Sequence, residues 1–242
     1  MQYCQCQMEK HLEMELDRLR QHLLLMASHA ENAVSLALKA LLQRDHALAL
    51  QVKDNDRIID QFEVEIDTEV MRLLTKAPLA TDLRLVTVAM KISQNFERIG
   101  DEASKIAKRA RDLSLEPPLK IQLDLPRLGA LALDMLRSAL DAFSQRDSAA
   151  ARAVIPRDRE VNAVNHEIHT ALVKHMVESP DHINRCLHWL VVAKSLERIA
   201  DHATNVAEYV IYFCEARDIR LISRSPEAAA AWETQTAATV TR

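Results

Sequence analysis

The chain repeats itself. Gln43-Arg44-Asp45 recurs as Gln145-Arg146-Asp147, and Asp56-Arg57 recurs as Asp158-Arg159, each 102 residues later. Glu97-Arg98-Ile99 recurs as Glu197-Arg198-Ile199 after 100 residues. This is the mark of an internally duplicated unit of roughly one hundred residues. The shorter second offset means that the second copy has lost residues around its second hairpin. Whatever fold one copy takes, the other must take as well.

That fold is predicted to be all-α. The 242 residues include two glycines, far fewer than strand-and-turn folds use, and 48% are hydrophobic, with Ala and Leu abundant. Proline punctuates the periodic segments. Pro78 interrupts one helical pattern, Glu116-Pro117-Pro118 ends the next, Pro126 suits a helix start, and Ser179-Pro180-Asp181 separates the last two. Helices are predicted over 11–43, 46–76, 79–114, 126–145, 148–178 and 181–217. Short connections make neighbours antiparallel. The chain therefore reads as two tandem three-helix bundles, 11–115 and 124–218, with 219–242 expected to be a disordered tail.

A net charge of −4 gives no bulk electrostatic case for nucleic-acid binding. No apolar run approaches the length of about eighteen residues needed for a membrane span. Met1 to Lys10 lack the apolar stretch of a signal peptide. A cytoplasmic protein is expected. Cys4 and Cys6 are too close for an ordinary disulfide, so these, Cys186 and Cys214 are expected as reduced thiols.

The third helix of each copy shows its core row. Leu85, Ala89, Ile92, Phe96, Ile99, Ala103, Ile106 and Ala110 alternate four and three apart. Trp189, Val192, Leu196, Ile199, Ala203, Val206, Val210 and Phe213 do the same. Such a row is a seam of the coiled-coil type. With a heptad beginning at Phe96 or Leu196, Glu97 and Asp101, and likewise Glu197 and Asp201, fall at the second and sixth positions, facing away from the core. Carboxylates four apart repel, costing roughly a few tenths of a kcal/mol. The same repulsion at equivalent points of a repeat points to a cation.

The middle helix of the first copy adds Asp56, Asp60, Glu63 and Asp67, flanking the core row Ile59, Phe62 and Ile66. Antiparallel packing can set this stripe beside Glu97 and Asp101. So many oxygens suit divalent or trivalent cations, and bridging carboxylates suit multinuclear sites. A solvated acidic face is the plain alternative. The second copy has Asp158, Asn162, Asn165 and His169 at the matching places, with less charge. Asn205, four after Asp201, offers another oxygen where the first copy has Lys105, a competing cation. The first face is thus expected to be the better metal site. His166 and His169 lie one turn apart, which is compatible with ligation. Arg84, Arg98 and Arg198 suit oxyanions, or ion pairs with carboxylates on their own helices. The chain has no Glu-x-x-His pair of di-iron bundles, no glycine-rich phosphate loop and no convincing nucleophile-and-base pair. No catalytic residue is assigned.

Pro78-Leu79-Ala80-Thr81-Asp82-Leu83-Arg84, followed by Phe96-Glu97-Arg98-Ile99-Gly100-Asp101-Glu102-Ala103, resembles the first repeat of the PhoU phosphate-regulation family. Leu196-Glu197-Arg198-Ile199-Ala200-Asp201-His202-Ala203-Thr204-Asn205-Val206-Ala207-Glu208 resembles its second. The similarity runs from about His11 to Asp218. It implies two bundles related by pseudo-twofold symmetry and multinuclear iron or zinc sites on their surfaces, with ligands from the Glu/Asp-x-x-x-Asp motifs. Glu97, Asp101, Glu197 and Asp201 fall on those motifs, and Asp56 and Asp60 form a further one. The resemblance also implies a homodimer that negatively controls phosphate uptake and signalling. Its implied partners are the ATPase of the phosphate transporter and a sensor histidine kinase, which would bring it to the membrane peripherally. Ala200 and Lys105 depart from the family's usual glycine and asparagine. Two other functions remain open at this level: a helical accessory or scaffold protein of another transporter, and a metal-dependent hydrolase.

Overall fold

A computed structural model describes residues 2–76 and 79–220, residues 2–9 by backbone alone. Pro78, the thiols of Cys4 and Cys6, and the tail beyond 220 lie outside the described residues. Among the described residues there is no strand. The first copy is α1 (Gln2–Gln43), α2 (His46–Leu74) and α3 (Ala80–Ser114). The second is α4 (Leu125–Gln145), α5 (Ser148–Val154), α6 (Asp158–Glu178) and α7 (Ile183–Glu215). Within each copy the helices pack on one another; between copies α3 lies against α7 and α1 against α4. One buried apolar cluster runs through both. The predicted row of α3 is buried throughout, whereas that of α7 is buried between Val192 and Val210 with Trp189 and Phe213 partly covered.

The structure differs from expectation at two elements. Helix α1 begins at Gln2, well before residue 11. The predicted helix 148–178 is split by a 3₁₀ turn, Ile155–Arg157. Pro156 causes the split, because it has no N–H to donate and its ring crowds the preceding turn. Asp54 stands at the matching place in α2, which runs unbroken.

The repeated Gln-Arg-Asp tripeptide is the corner between the first two helices of each copy. Arg44 and Arg146 take left-handed backbone conformations, φ 55° and 54°. Asp45 then caps α2, its carboxylate accepting from the N–H groups of Ala47 (2.8 Å) and Leu48 (3.1 Å). Asp147 caps α5 in the same way through Ala149 (2.9 Å) and Ala150 (3.0 Å).

Neither glycine serves a turn; both sit inside helices at close crossings. A Cβ on Gly129 would lie 2.6 Å from Leu38 Cδ2, where α4 meets α1. A Cβ on Gly100 would lie 2.9 Å from Ile59 Cδ1 and 3.2 Å from Asp56 Oδ1. Gly100 thus lets α2 approach α3 at the acidic face. The second copy has buried Ala200 there, and Val161 in place of Ile59. The added methyl on one helix is matched by a methylene lost from the other.

Candidate functional site

Helices α2 and α3 bring five predicted carboxylates into one electrostatic group: Asp56, Asp60, Glu63, Glu97 and Asp101. Packing of the Phe96–Ile99 row fixes α3, and Ile59 with Ile66 fixes α2, so the acids line the two outer edges of that contact. Glu97 and Asp56 are half-buried, and Asp60 and Asp101 are exposed. Partial burial, then the charges of Asp101, Glu63 and Asp60, push the Glu97 carboxyl up to about 7. Asp56 is raised by burial and by Asp60 and Asp101, with Ser104 and Lys105 opposing. Glu63 is raised by burial and by Asp67 and Asp60.

The second copy holds a smaller group across α6 and α7: Asp158, Glu197 and Asp201. Burial, then Asp158 and Glu197, push Asp201 up to about 6. Asp158 is raised by burial and by Glu197. Asn162 donates to Asp158 Oδ2 at 2.7 Å, while the buried Asp158 Oδ1 has no partner. Lys194 pairs with Glu197. His166 and His169 stand exposed on α6.

The chemistry of both sets fits a hard or borderline cation: crowded carboxylate oxygens, with Glu97 and Asp201 pushed up by burial and by their acidic neighbours, and one buried carboxylate oxygen of Asp158 left unpartnered. As the side chains stand, no three His, Cys, Asp or Glu among the described residues surround one point.

Four predicted residues point elsewhere. Asn205 donates across the α3–α7 contact to Asn95 Oδ1 at 3.3 Å. Lys105 pairs with Glu102, 2.9 Å away, while its charge still acts on Asp56 of the acidic face. Arg198 also reaches Glu102, at 3.2 Å, so it pairs with the other copy rather than with its own helix. Arg84 donates to the Phe213 carbonyl at 3.2 Å, near the end of α7.

Sequence reasoning passed over Glu102, which is 4% exposed although it adjoins Asp101. Burial alone would raise its carboxyl, but bonds from Ser195, Lys105 and Arg198 hold it below the usual range. Opposite it, His202 bonds Asn95 Oδ1 at 3.0 Å. Burial, with Arg98 and Arg198 nearby, drops the His202 imidazole to about 4, so it is neutral at ordinary pH. Glu102 and His202 occupy equivalent positions of the repeat, as do Asn95 and Ser195. The offset of 100 was the available signal.

These features define a class: a duplicated three-helix-bundle protein bearing a carboxylate face on each bundle. The PhoU domain model matches residues 23–110 and again 125–210. The "phosphate-specific transport system accessory protein PhoU homolog" of Pseudomonas aeruginosa is 40% identical over 210 residues, covering 86% of this chain and 87% of that one. The protein of the same description from Zymomonas mobilis is 38% identical over 205 residues, covering 84% and 86%. The crystal structure of PhoU from Pseudomonas aeruginosa superposes with a TM-score of 0.82 at 39% identity, covering 85% of this chain and 99% of that chain. That of the phosphate transport system regulatory protein PhoU from Streptococcus pneumoniae gives 0.79 at 27% identity, covering 86% and 98%. The chain belongs to the PhoU family. None of its described helices is long and apolar enough to cross a membrane.

Proposed function

We propose that this chain is a non-catalytic regulatory accessory protein of phosphate-specific transport. It acts in the cytoplasm as a homodimer. It binds the ATPase of the phosphate ABC transporter and a phosphate sensor histidine kinase, and it lowers uptake and phosphate-responsive signalling when phosphate is plentiful. It meets the membrane only through those partners. The observation that carries this is the pair of PhoU repeats, in a chain 40% identical across 86% of its length to a relative described as an accessory protein of phosphate-specific transport.

Metal ions, iron or zinc in multinuclear form, belong to the same proposal. Asp56, Asp60, Glu63, Glu97 and Asp101 would hold them on the first face, and Asp158, Glu197 and Asp201 on the second. A bound cation supplies the positive charge that these acids lack. The acids themselves fix its position, because α2–α3 and α6–α7 packing sets their spacing. Anything that binds the folded chain alone also stabilises it.

Deleting the gene should leave phosphate uptake and phosphate-responsive transcription switched on in phosphate-rich medium; unchanged responses would sink the proposal. A tagged chain should co-purify with the transporter ATPase or the kinase. Metal analysis after gentle purification tests the faces separately: Glu97→Ala with Asp101→Ala should lower the metal content per chain.

A further inference from the structure

Between α2 and α3 lies a groove of about 370 Å³, lined by Lys53 from α2 and by Lys108 and Arg111 from α3. Ala49, Leu50, Ala107, Ser104 and Asp56 complete it. Its size falls in the range of small-ligand sites, about 300–1,000 Å³. None of the three cations has a side-chain bond or ion pair to a described residue. Many of the other cations are paired, among them Arg18 with Glu69, Lys76 and Arg72 with Glu15, and Arg152 with Glu215; those left single elsewhere, such as Lys39 and Lys120, do not line this groove. Lys108 and Arg111 are three apart on one helix face, where like charges repel. Three unpaired positive charges around a concavity focus an attractive field for anions.

The shared fold does not require these cations. The repeat offsets place Ile155, Glu208 and Ile211 where the first copy has Lys53, Lys108 and Arg111. Pro156 also breaks the helix there. Leu50 keeps 48% of its surface exposed in the groove, and with Ala107 it offers an apolar strip beside the charges.

We propose that this groove binds a small anion carrying more than one phosphoryl group, a pyrophosphate or a nucleoside polyphosphate, gripped by Lys53, Lys108 and Arg111. Arg111 supplies the planar donor fork and the lysines point charges. Asp56 belongs both to the groove and to the first acidic face, so filling one alters the electrostatics of the other.

The test is titration calorimetry on the purified full chain with pyrophosphate, ATP and inorganic phosphate, at one low ionic strength. Pyrophosphate or ATP should bind once per chain and more tightly than inorganic phosphate. Tighter pyrophosphate assigns the groove to inorganic anions and tighter ATP to nucleotides; either supports the proposal. Lys108→Ala with Arg111→Ala should weaken binding by about tenfold or more, the effect of losing charge-assisted bonds. Lys53→Ala, on the other helix, repeats the test if that double variant does not fold. Lys39→Ala with Lys120→Ala removes two exposed cations that do not line the groove and should leave binding unchanged. The proposal is overturned by no binding of pyrophosphate and ATP, by equal binding of inorganic phosphate, by unaffected groove variants, or by equal weakening in the control variant. It is read on purified protein, so its failure would leave the regulatory function untouched.

Discussion

Glu97 carries the strongest charge conflict of the first acidic face. Its carboxyl titrates near 7 when folded, against 4.5 ordinarily, because burial and three neighbouring acids disfavour the charged form. Between those values the folded state binds more protons than the unfolded one, so stability falls as pH rises. The favourable contribution is complete below 4.5 and gone once pH passes 7. In chelator-treated protein, Glu97→Gln should therefore stabilise above pH 7 by about 1 kcal/mol, water screening the rest of the repulsion, and change little at pH 4. Urea unfolding at the two pH values measures the difference; equal effects would show that Glu97 is not strained. Gly100 gives a second prediction. Ala there gains about 1 kcal/mol of helix propensity, but its Cβ meets Ile59 Cδ1. Ile59→Val removes that atom, as Val161 does beside Ala200 in the second copy. Gly100→Ala and Ile59→Val should thus be more stable together than the sum of the single changes, by about 1 kcal/mol in a double-mutant cycle.

At the scale of elements, the Gln-Arg-Asp corner shows what a short repeat can encode. Arg44 accepts a left-handed backbone, which costs a non-glycine residue about 1 kcal/mol. Its guanidinium is thereby placed to donate to the carbonyls of Leu113 (2.6 Å), Ser114 (3.2 Å) and Glu116 at the end of α3. Leu113 and Ser114 belong to the last turn of α3, whose carbonyls have no partner four residues on within the helix, and a cation suits the negative pole. Asp45→Ala should cost about 1 kcal/mol by removing the α2 cap, read by thermal unfolding; no loss would mean that tertiary packing alone holds that end. The helices and their core rows were legible because burial imposes a period on the sequence, as at Leu85–Ala110. The outward stance of Glu97 and Asp101 followed from the same period. The break at 155–157 was legible in principle from Pro156, but the apolar pattern continues through it and masks the missing N–H. The engagement of Asn205 with Asn95 was not legible. Periodicity says which side of a helix a residue occupies, and not which helix, 110 residues away, will cover that side.

For the whole molecule, the decisive contact is α3 against α7, since it sets the two acidic faces relative to each other. Its polar centre is built from equivalent positions that carry different residues: Glu102 matches His202, and Lys105 matches Asn205. Identical residues would place either two buried acids or two buried imidazoles at the centre. The pair as found lets one acid collect Lys105, Arg198 and Ser195 while a neutral imidazole meets Asn95. A duplicated unit thus acquires a contact that only one copy can make to the other. Glu102→Ala should cost about 2 kcal/mol, within the range for charge-assisted bonds. Lys105 and Arg198 keep 47% and 51% exposure, so they rehydrate rather than remain stranded. Arg198→Ala should then add little in the Glu102→Ala background, giving a coupling of about 1 kcal/mol. Equilibrium unfolding of the four proteins measures it. Zero coupling would mean that the Glu102–Arg198 pair contributes nothing to joining the copies; a coupling of the expected size shows that this ion pair helps to hold α3 against α7.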